Sequence, residues 1–280
     1  MDEQSIFQLA GKESYETFLK ALAQDMPSMY AVAMVLKEKE WAKEAVSWLT
    51  KAANQHYAPA QYELANCYYA GDGVQVNEQK AFELYTCAAT QGHADAANNL
   101  ADMYFNGESV EVNEEQAFYW FTYAAEKGIV EAMFTLGIMH EQGLGTQVDE
   151  ARAYTYYEQS ATAGYDDAQY RMGCIYLDGL LGKAQDGQQA LTWFEAAAEQ
   201  FHIDAIYNLG YLYEKGVAVT QDGNKAISYY KQAALLGDYQ AKVNLAYMYE
   251  TGECVPVSVE EAEKWHKAAQ VQLEEARQEW

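Results

Sequence analysis

One stretch of this chain occurs six times, and that recurrence limits the possible folds more than any other feature. LANCYYAGDGVQVNEQKAF from Leu64 returns as LADMYFNGESVEVNEEQAF from Leu100 and LGIMHEQGLGTQVDEARAY from Leu136. It returns again as MGCIYLDGLLGKAQDGQQAL from Met172, LGYLYEKGVAVTQDGNKAI from Leu209 and LAYMYETGECVPVSVEEAE from Leu245. The step is 36 residues, with one of 37 between Met172 and Leu209. A period of that length means supersecondary units that stack to bury a shared core, because no unit can cover its apolar face alone.

Each unit reads as two helices, A and B. Helix A of the first full unit is predicted over about Pro59–Ala70, with Leu64, Cys67 and Tyr68 at i, i+3 and i+4. Helix B is predicted over about Glu78–Gln91, with Ala81, Leu84, Ala88 and Ala89 on one face. Ala117, Ala153, Ala190, Ala226 and Ala262 match Ala81, and such small residues let helices approach closely.

The Gly-x-Gly between the helices resembles a phosphate cradle, but its recurrence argues for a turn. Gly71, Gly107, Gly143, Gly179, Gly216 and Gly252 each follow the last turn of helix A, where a left-handed residue ends a helix. Four residues before each helix-B alanine stands Asn77, Asn113, Asp149, Asp186, Asp222 or Ser258, all preferred N-caps. The second glycine is less constant, with Ser109, Ala218 and Cys254 in its place. The loop lacks GxxxxGK[ST], and its acidic setting opposes phosphate.

Leu-Gly or Leu-Ala, then Tyr, Gly-x-Gly-Val, Asp or Asn, Lys-Ala and Ala-Ala resembles the Sel-one-like repeat (SLR), a relative of the tetratricopeptide repeat. Gly71-Asp72-Gly73-Val74, Asn77, Lys80-Ala81 and Ala88-Ala89 carry the resemblance in the first full unit. It covers six units over 57–270. A degenerate unit at 27–56 precedes them, with Pro27, Tyr30 and Ala33 matching Pro59, Tyr62 and Ala65. Residues 1–26 are expected to form a helical cap, and 271–280 a helical extension. The resemblance implies an all-α superhelical solenoid with helices A on the concave side. It also implies an adaptor or scaffold role without catalysis or cofactor.

Forty-two acids against 18 bases give a formal charge of −24. That field repels nucleic acid and anionic membranes and attracts basic partners. No apolar run approaches the ~18 residues of a membrane span. The opening MDEQSIFQLAGKES lacks a basic n-region followed by an apolar stretch. Cys67, Cys87, Cys174 and Cys254 lack the regular pairing of secreted, disulfide-bonded relatives. The expectation is therefore four free thiols in a reducing cytoplasm.

Searches for chemistry give little. Ser228-Tyr229-Tyr230-Lys231 matches the Ser-x-x-Lys of penicillin-recognising hydrolases, but no Ser-Asp-Asn or Lys-Thr-Gly accompanies it. The five histidines show no close metal spacing with cysteines. His140, where other units carry tyrosine, reads as an interior histidine.

The surface remains. By analogy with tetratricopeptide arrays, the positions two before, two after and five after the helix-A leucine face the groove. Among them the expected partner-binding residues are Tyr62, Tyr69, Asp102, Phe105, Phe134, Glu141, Tyr170, Tyr207, Tyr211, Glu214, Tyr247 and Glu250. Aromatic area with acids selects a basic protein or peptide. That fits a bacterial immunity or inhibitor protein facing a cationic toxin, or an adaptor in assembly or signalling. Packing between repeats is the competing explanation for the rings. A penicillin-recognising hydrolase is the alternative of a different class.

Overall fold

A computed structural model describes residues 16–278. Among them the secondary structure is helix and turn, with fifteen helices and no strand. Residues 16–22 are helical (α1), and the expected cap over 1–15 lies outside the described residues. α2 (Met26–Glu38) and α3 (Ala42–Ala53) form the degenerate unit. α4 (Ala58–Ala70) and α5 (Glu78–Thr90) form the first full one, followed by α6 (Ala94–Asn106), α7 (Glu114–Glu126), α8 (Val130–Gln142) and α9 (Glu150–Thr162). α10 (Asp166–Asp178), α11 (Gly187–Glu199), α12 (Ile203–Lys215), α13 (Gly223–Leu235), α14 (Tyr239–Thr251) and the longer α15 (Val259–Gln278) complete the series. Even-numbered helices are helices A and odd-numbered ones from α3 are helices B. The chain divides into two compact units, Met1–Val148 and Asp149–Trp280.

The helix-B alanines explain how the helices close up. Ala45, Ala81 and Ala117 in the first unit, and Ala153, Ala190 and Ala226 in the second, are wholly buried. Four residues on, the same face carries a large buried side chain, including Tyr85, Phe121, Tyr157, Phe194 and Tyr230. A small residue one turn from a large one lets a ring seat against the neighbouring helix, and adding methylenes at the alanine overpacks the site. The first core gathers Met29, Leu36, Leu49 and Leu64, with Trp41 and Trp48 packed on it. Phe18 of α1 meets Trp48 edge-on at 5.9 Å. In the second unit Phe194, Leu209 and Leu212 form one core, and Tyr230, Leu245, Met248 and Trp265 another.

In the six full units each loop between helices A and B performs the stop and restart read from sequence, whereas α2 ends at Lys39 and Trp41 gives α3 no side-chain cap. Gly143 ends α8 at φ +76, a conformation that costs glycine little and other residues more. Asn77, Asn113, Asp149, Asp186 and Asp222 all accept a bond from the first turn of helix B. The loop also closes on itself. The amides of Asn77 and Asn113 donate to the carbonyls of Tyr68 and Tyr104, and Asp222 and Ser258 repeat this with Tyr213 and Tyr249. The start of helix B is thereby fixed to the end of helix A.

The variable second glycine has a cause that lies in another repeat. Outside the fourth loop, where a Cβ on Gly182 would meet nothing within 4 Å, each such loop residue lies against the first residue of the helix B that begins 31 positions earlier. A Cβ on Gly73 would lie 2.5 Å from the Ala42 carbonyl, and one on Gly145 would lie 2.2 Å from the Glu114 oxygen. Ser109 in the same place bonds Glu78 through its hydroxyl at 3.3 Å. Where the loop residue is Ala218 or Cys254, the helix start carries the glycine instead. A Cβ on Gly187 would lie 2.8 Å from the Ala218 Cβ, and one on Gly223 would lie 2.1 Å from the Cys254 oxygen. In these five pairs one member is a glycine, or, for Ser109 and Glu78, the side chains bond across.

Candidate binding faces of the two units

The helix-A positions singled out from sequence fall into three structural classes. Residues two before the leucine are half-buried between helix B of their own repeat and the N-cap of the next helix A. Tyr62 lies 6.1 Å from Tyr85 and stacks on His93 at 4.5 Å. Tyr170 repeats this with Phe194 at 5.9 Å and His202 at 4.6 Å. Tyr207 packs on Tyr230 at 5.3 Å, and its hydroxyl accepts from Asn244 at 3.1 Å. Phe134 is half-buried.

Three of the residues five after the leucine, Phe105, Glu214 and Glu250, meet helix B of the same repeat sixteen positions on. Phe105 lies edge-on to Phe121 at 6.2 Å. Glu214 is buried and accepts a 2.6 Å bond from the Tyr230 hydroxyl. It also pairs with Lys215, which reaches Glu253 at 3.2 Å. Burial first, and the Glu214 carboxylate second, push the Tyr230 hydroxyl well above its usual range. Glu250, exposed, lies 3.3 Å from His266. Tyr69 is exposed, and its hydroxyl donates to Glu108 at 2.9 Å. Glu141 is half-buried.

Residues two after the leucine are the most open in the second unit, where Tyr211 and Tyr247 are exposed one repeat apart on α12 and α14. The corresponding residue of α6 is Asp102. Its carboxylate accepts from Asn98 at 3.1 Å. Burial, with Glu108 adding repulsion, pushes its pKa up to about 6. The Asn98 side-chain oxygen is buried without a hydrogen-bond partner among the described residues. A half-buried carboxyl beside an unsatisfied acceptor is a place where a donor or cation from outside would be stabilised. None of the positions two before, two after or five after the leucines carries Lys or Arg.

Two histidines acquire a role that the sequence reading missed. His93 and His202 cap α6 and α12, each accepting through Nδ1 from the amide three residues on at 3.3 Å. The signal was their place in the repeat, where Asp238 stands before α14 and also caps. Burial lowers the pKa of His93, with Asp95 opposing. His140 is buried and meets Phe118 edge-on at 5.4 Å.

The Ser-x-x-Lys stretch is not arranged as a nucleophile and its base. Ser228 is exposed on α13, and the Lys231 ammonium lies over the Tyr249 ring at 5.5 Å. Among the described residues no cluster of His, Cys, Asp or Glu could hold a metal, and no helix is long and apolar enough to cross a membrane. All four cysteines are free thiols. Burial raises the pKa of Cys67 to about 11, so it is a core residue rather than a reactive one.

A family profile, the Sel1 repeat, matches residues 42–57, 58–93, 94–129, 130–165, 166–200, 203–238 and 240–269. No curated protein matches the chain. Among solved structures, a protective antigen of uropathogenic Escherichia coli with an SLR fold superposes at a TM-score of 0.83 and 29% identity over 96% of this chain. This chain spans only 60% of that protein's length. A Sel1 repeat protein from Oxalobacter formigenes gives a TM-score of 0.78 at 26% identity, covering 86% of this chain and 98% of its own. An immunity protein from Pseudomonas aeruginosa, 18% identical at a TM-score of 0.50, covers 77% of this chain and 81% of its own; this likeness extends to the fold alone.

Proposed function

Because the chain belongs to the Sel1 repeat family, a protein-interaction fold, we propose that it is a non-catalytic binding protein whose helix-A faces take a basic protein or peptide. One observation carries this reading. The positions two before, two after and five after the helix-A leucines bear aromatic and acidic side chains and no Lys or Arg, with Tyr211 and Tyr247 exposed in the second unit and Tyr69 near the half-buried Asp102 in the first. Exposed rings supply contact area at small entropic cost, and carboxylates steer a cationic partner. Acids already bonded within the fold, Glu214 above all, contribute long-range field rather than direct contact. An inhibitor of a cationic toxin and an adaptor in assembly would both use such faces.

Panning a displayed random-peptide library against the intact protein tests the reading. The expected peptides are rich in Lys and Arg. Tyr211→Ala with Tyr247→Ala should speed their dissociation about tenfold, a cost of roughly 1–2 kcal/mol. Asp102→Lys should slow association and flatten its salt dependence. Basic peptides that bind both variants like wild type would move the interface off the helix-A faces.

A further inference from the structure

The second unit carries another surface, of opposite character, along the edge formed by its helix-B-to-helix-A loops. In most repeats these loops turn through a glycine with positive φ, as at Gly92, Gly128, Gly164 and Gly237. At the same step α11 is followed by Phe201, at φ 65 and 73% exposed. A bulky side chain in that conformation is unfavourable, and this one gains no burial in return. One repeat later Leu235 is 81% exposed, with Leu236 and Tyr239 also exposed. One repeat after that, at the matching end of α15, Val271 and Leu273 are exposed.

Side chains tie successive loops into this edge. Gln200 donates to the Gly164 carbonyl at 2.8 Å, and Gln272 donates to the Gly237 carbonyl at 2.7 Å. The matching edge of the first unit is polar, reading Gln55-His56, Gln91-Gly92 and Lys127-Gly128. An apolar ridge confined to three consecutive repeats is the kind of exposed patch that marks an interaction site.

The charge beside the ridge identifies the occupant. A hollow of about 600 Å³ next to Gly237 is lined by Lys242, Lys264, Lys267, Val271, Gln272 and Glu275. Lys242 bonds Gln272 at 2.6 Å, and Lys264 pairs with Glu261 only at an exposed 3.5 Å. Lys267 has no ion pair among the described residues and is exposed. Three lysines and one carboxylate make this a locally basic hollow on a chain of net charge −24. An anionic membrane presents a broad surface to the negative field of the whole chain, whereas a short acidic segment seated at the hollow lies nearest its lysines, with more distant charges screened.

We infer that this edge docks an amphipathic segment of another protein, its aliphatic side chains on the Phe201–Leu235–Leu236 ridge and its carboxylates at Lys264 and Lys267. The site is separate from the helix-A faces and prefers the opposite charge.

The displayed random-peptide library distinguishes the two. Intact protein should also select a second class of peptides that combine Leu, Ile or Phe with Asp or Glu. Leu235→Ser with Leu236→Ser, and separately Lys264→Glu with Lys267→Glu, should each weaken that class at least tenfold. Both should leave the basic class unchanged, with helicity by circular dichroism as the folding control. Recovery of basic peptides alone, or of acidic-apolar peptides that bind both variants normally, overturns the inference while leaving the helix-A reading standing. Two controls identify other occupants. If phosphatidylserine vesicles bind and the lysine variant abolishes it, the site is lipid-binding. If wild type self-associates in sedimentation and the leucine variant does not, the occupant is a second copy. Either result also overturns the inference.

Discussion

The two units solve one steric problem from opposite sides. In the first, the glycine stands in the loop, at Gly73 and Gly145, and the helix start it rests on carries Ala42 or Glu114. In the second, the last two such loops carry Ala218 or Cys254, and the helix start is Gly187 or Gly223. What the stack requires is therefore a close backbone approach between repeats, and it does not specify which partner gives up its side chain. The arrangements are not equal in local cost. A loop glycine relieves both the contact and the positive φ, whereas Ala218 and Cys254 keep φ values of 59 and 64 with a Cβ present. A glycine at a helix start forfeits some helix propensity as well.

The largest expected effect breaks each arrangement at its glycine. Gly145→Ala places a Cβ on a carbonyl oxygen at positive φ, and Gly223→Ala does so at a helix start. Backbone cannot move aside as a side-chain tip does, so each should lose about 3 kcal/mol in urea unfolding. Gly128→Ala is the control, because its Cβ would meet nothing within 4 Å while its φ is also positive. It should cost about 1 kcal/mol. Equal losses at Gly145 and Gly128 would reduce the role of the second glycine to φ alone.

A smaller effect tests whether the pair acts as one. Gly187→Ala brings two Cβ atoms to 2.8 Å and should cost about 2 kcal/mol. With Ala218→Gly in the same chain most of that loss should return, leaving a coupling of about 1 kcal/mol in a double-mutant cycle. Additive losses would mean that position 187 is constrained by something other than its partner loop.

The helix-A faces also differ between units, and Asp102 measures that difference. Its carboxyl holds its proton up to about pH 6 in the folded chain, while an unfolded aspartate titrates near 4. Between those values folding takes up a proton, so this group's contribution to stability falls as pH rises from about 4 to about 6, and is flat above. Asp102→Asn should therefore stabilise the protein by about 1–2 kcal/mol at pH 7.5, and the gain should shrink towards pH 4. A gain that is the same at both pH values would assign it to the Asn98 contact rather than to the buried charge.

The fold was legible because its signals are local. Gly71 to Gly252 end helices within one turn, Asn77 to Ser258 cap within three residues, and Ala81 to Ala262 recur on one face. The reason for Gly187 and Gly223 was not legible, since their partners stand 31 residues on, in another repeat's loop. The candidate faces were legible as composition and less so as geometry. Glu214 and Glu250 occupy the same place in the repeat. Sixteen residues on, one meets a buried Tyr230 and the other an exposed His266, so one is enclosed and the other open. The histidine caps were missed because a ring nitrogen is a less familiar cap than a carboxylate.

Ser109 gives the finest test of the comparison, because it belongs to neither arrangement. It stands in the loop of the first unit without being glycine, faces the helix start Glu78, and holds φ 59. Its hydroxyl reaches the Glu78 carboxylate at 3.3 Å, a long and exposed bond that contributes little in water. Ser109→Gly removes that bond, relieves the left-handed strain and adds chain entropy to the unfolded state. These terms oppose one another, so the net change should stay within about 0.5 kcal/mol of zero. Ser109→Val should instead cost at least about 1 kcal/mol, because a branched Cβ resists positive φ and has no oxygen to offer Glu78. If Ser109→Gly instead lost as much as Ser109→Val, the hydroxyl bond would outweigh the backbone, and this seam would depend on side-chain chemistry where its neighbours depend on close approach.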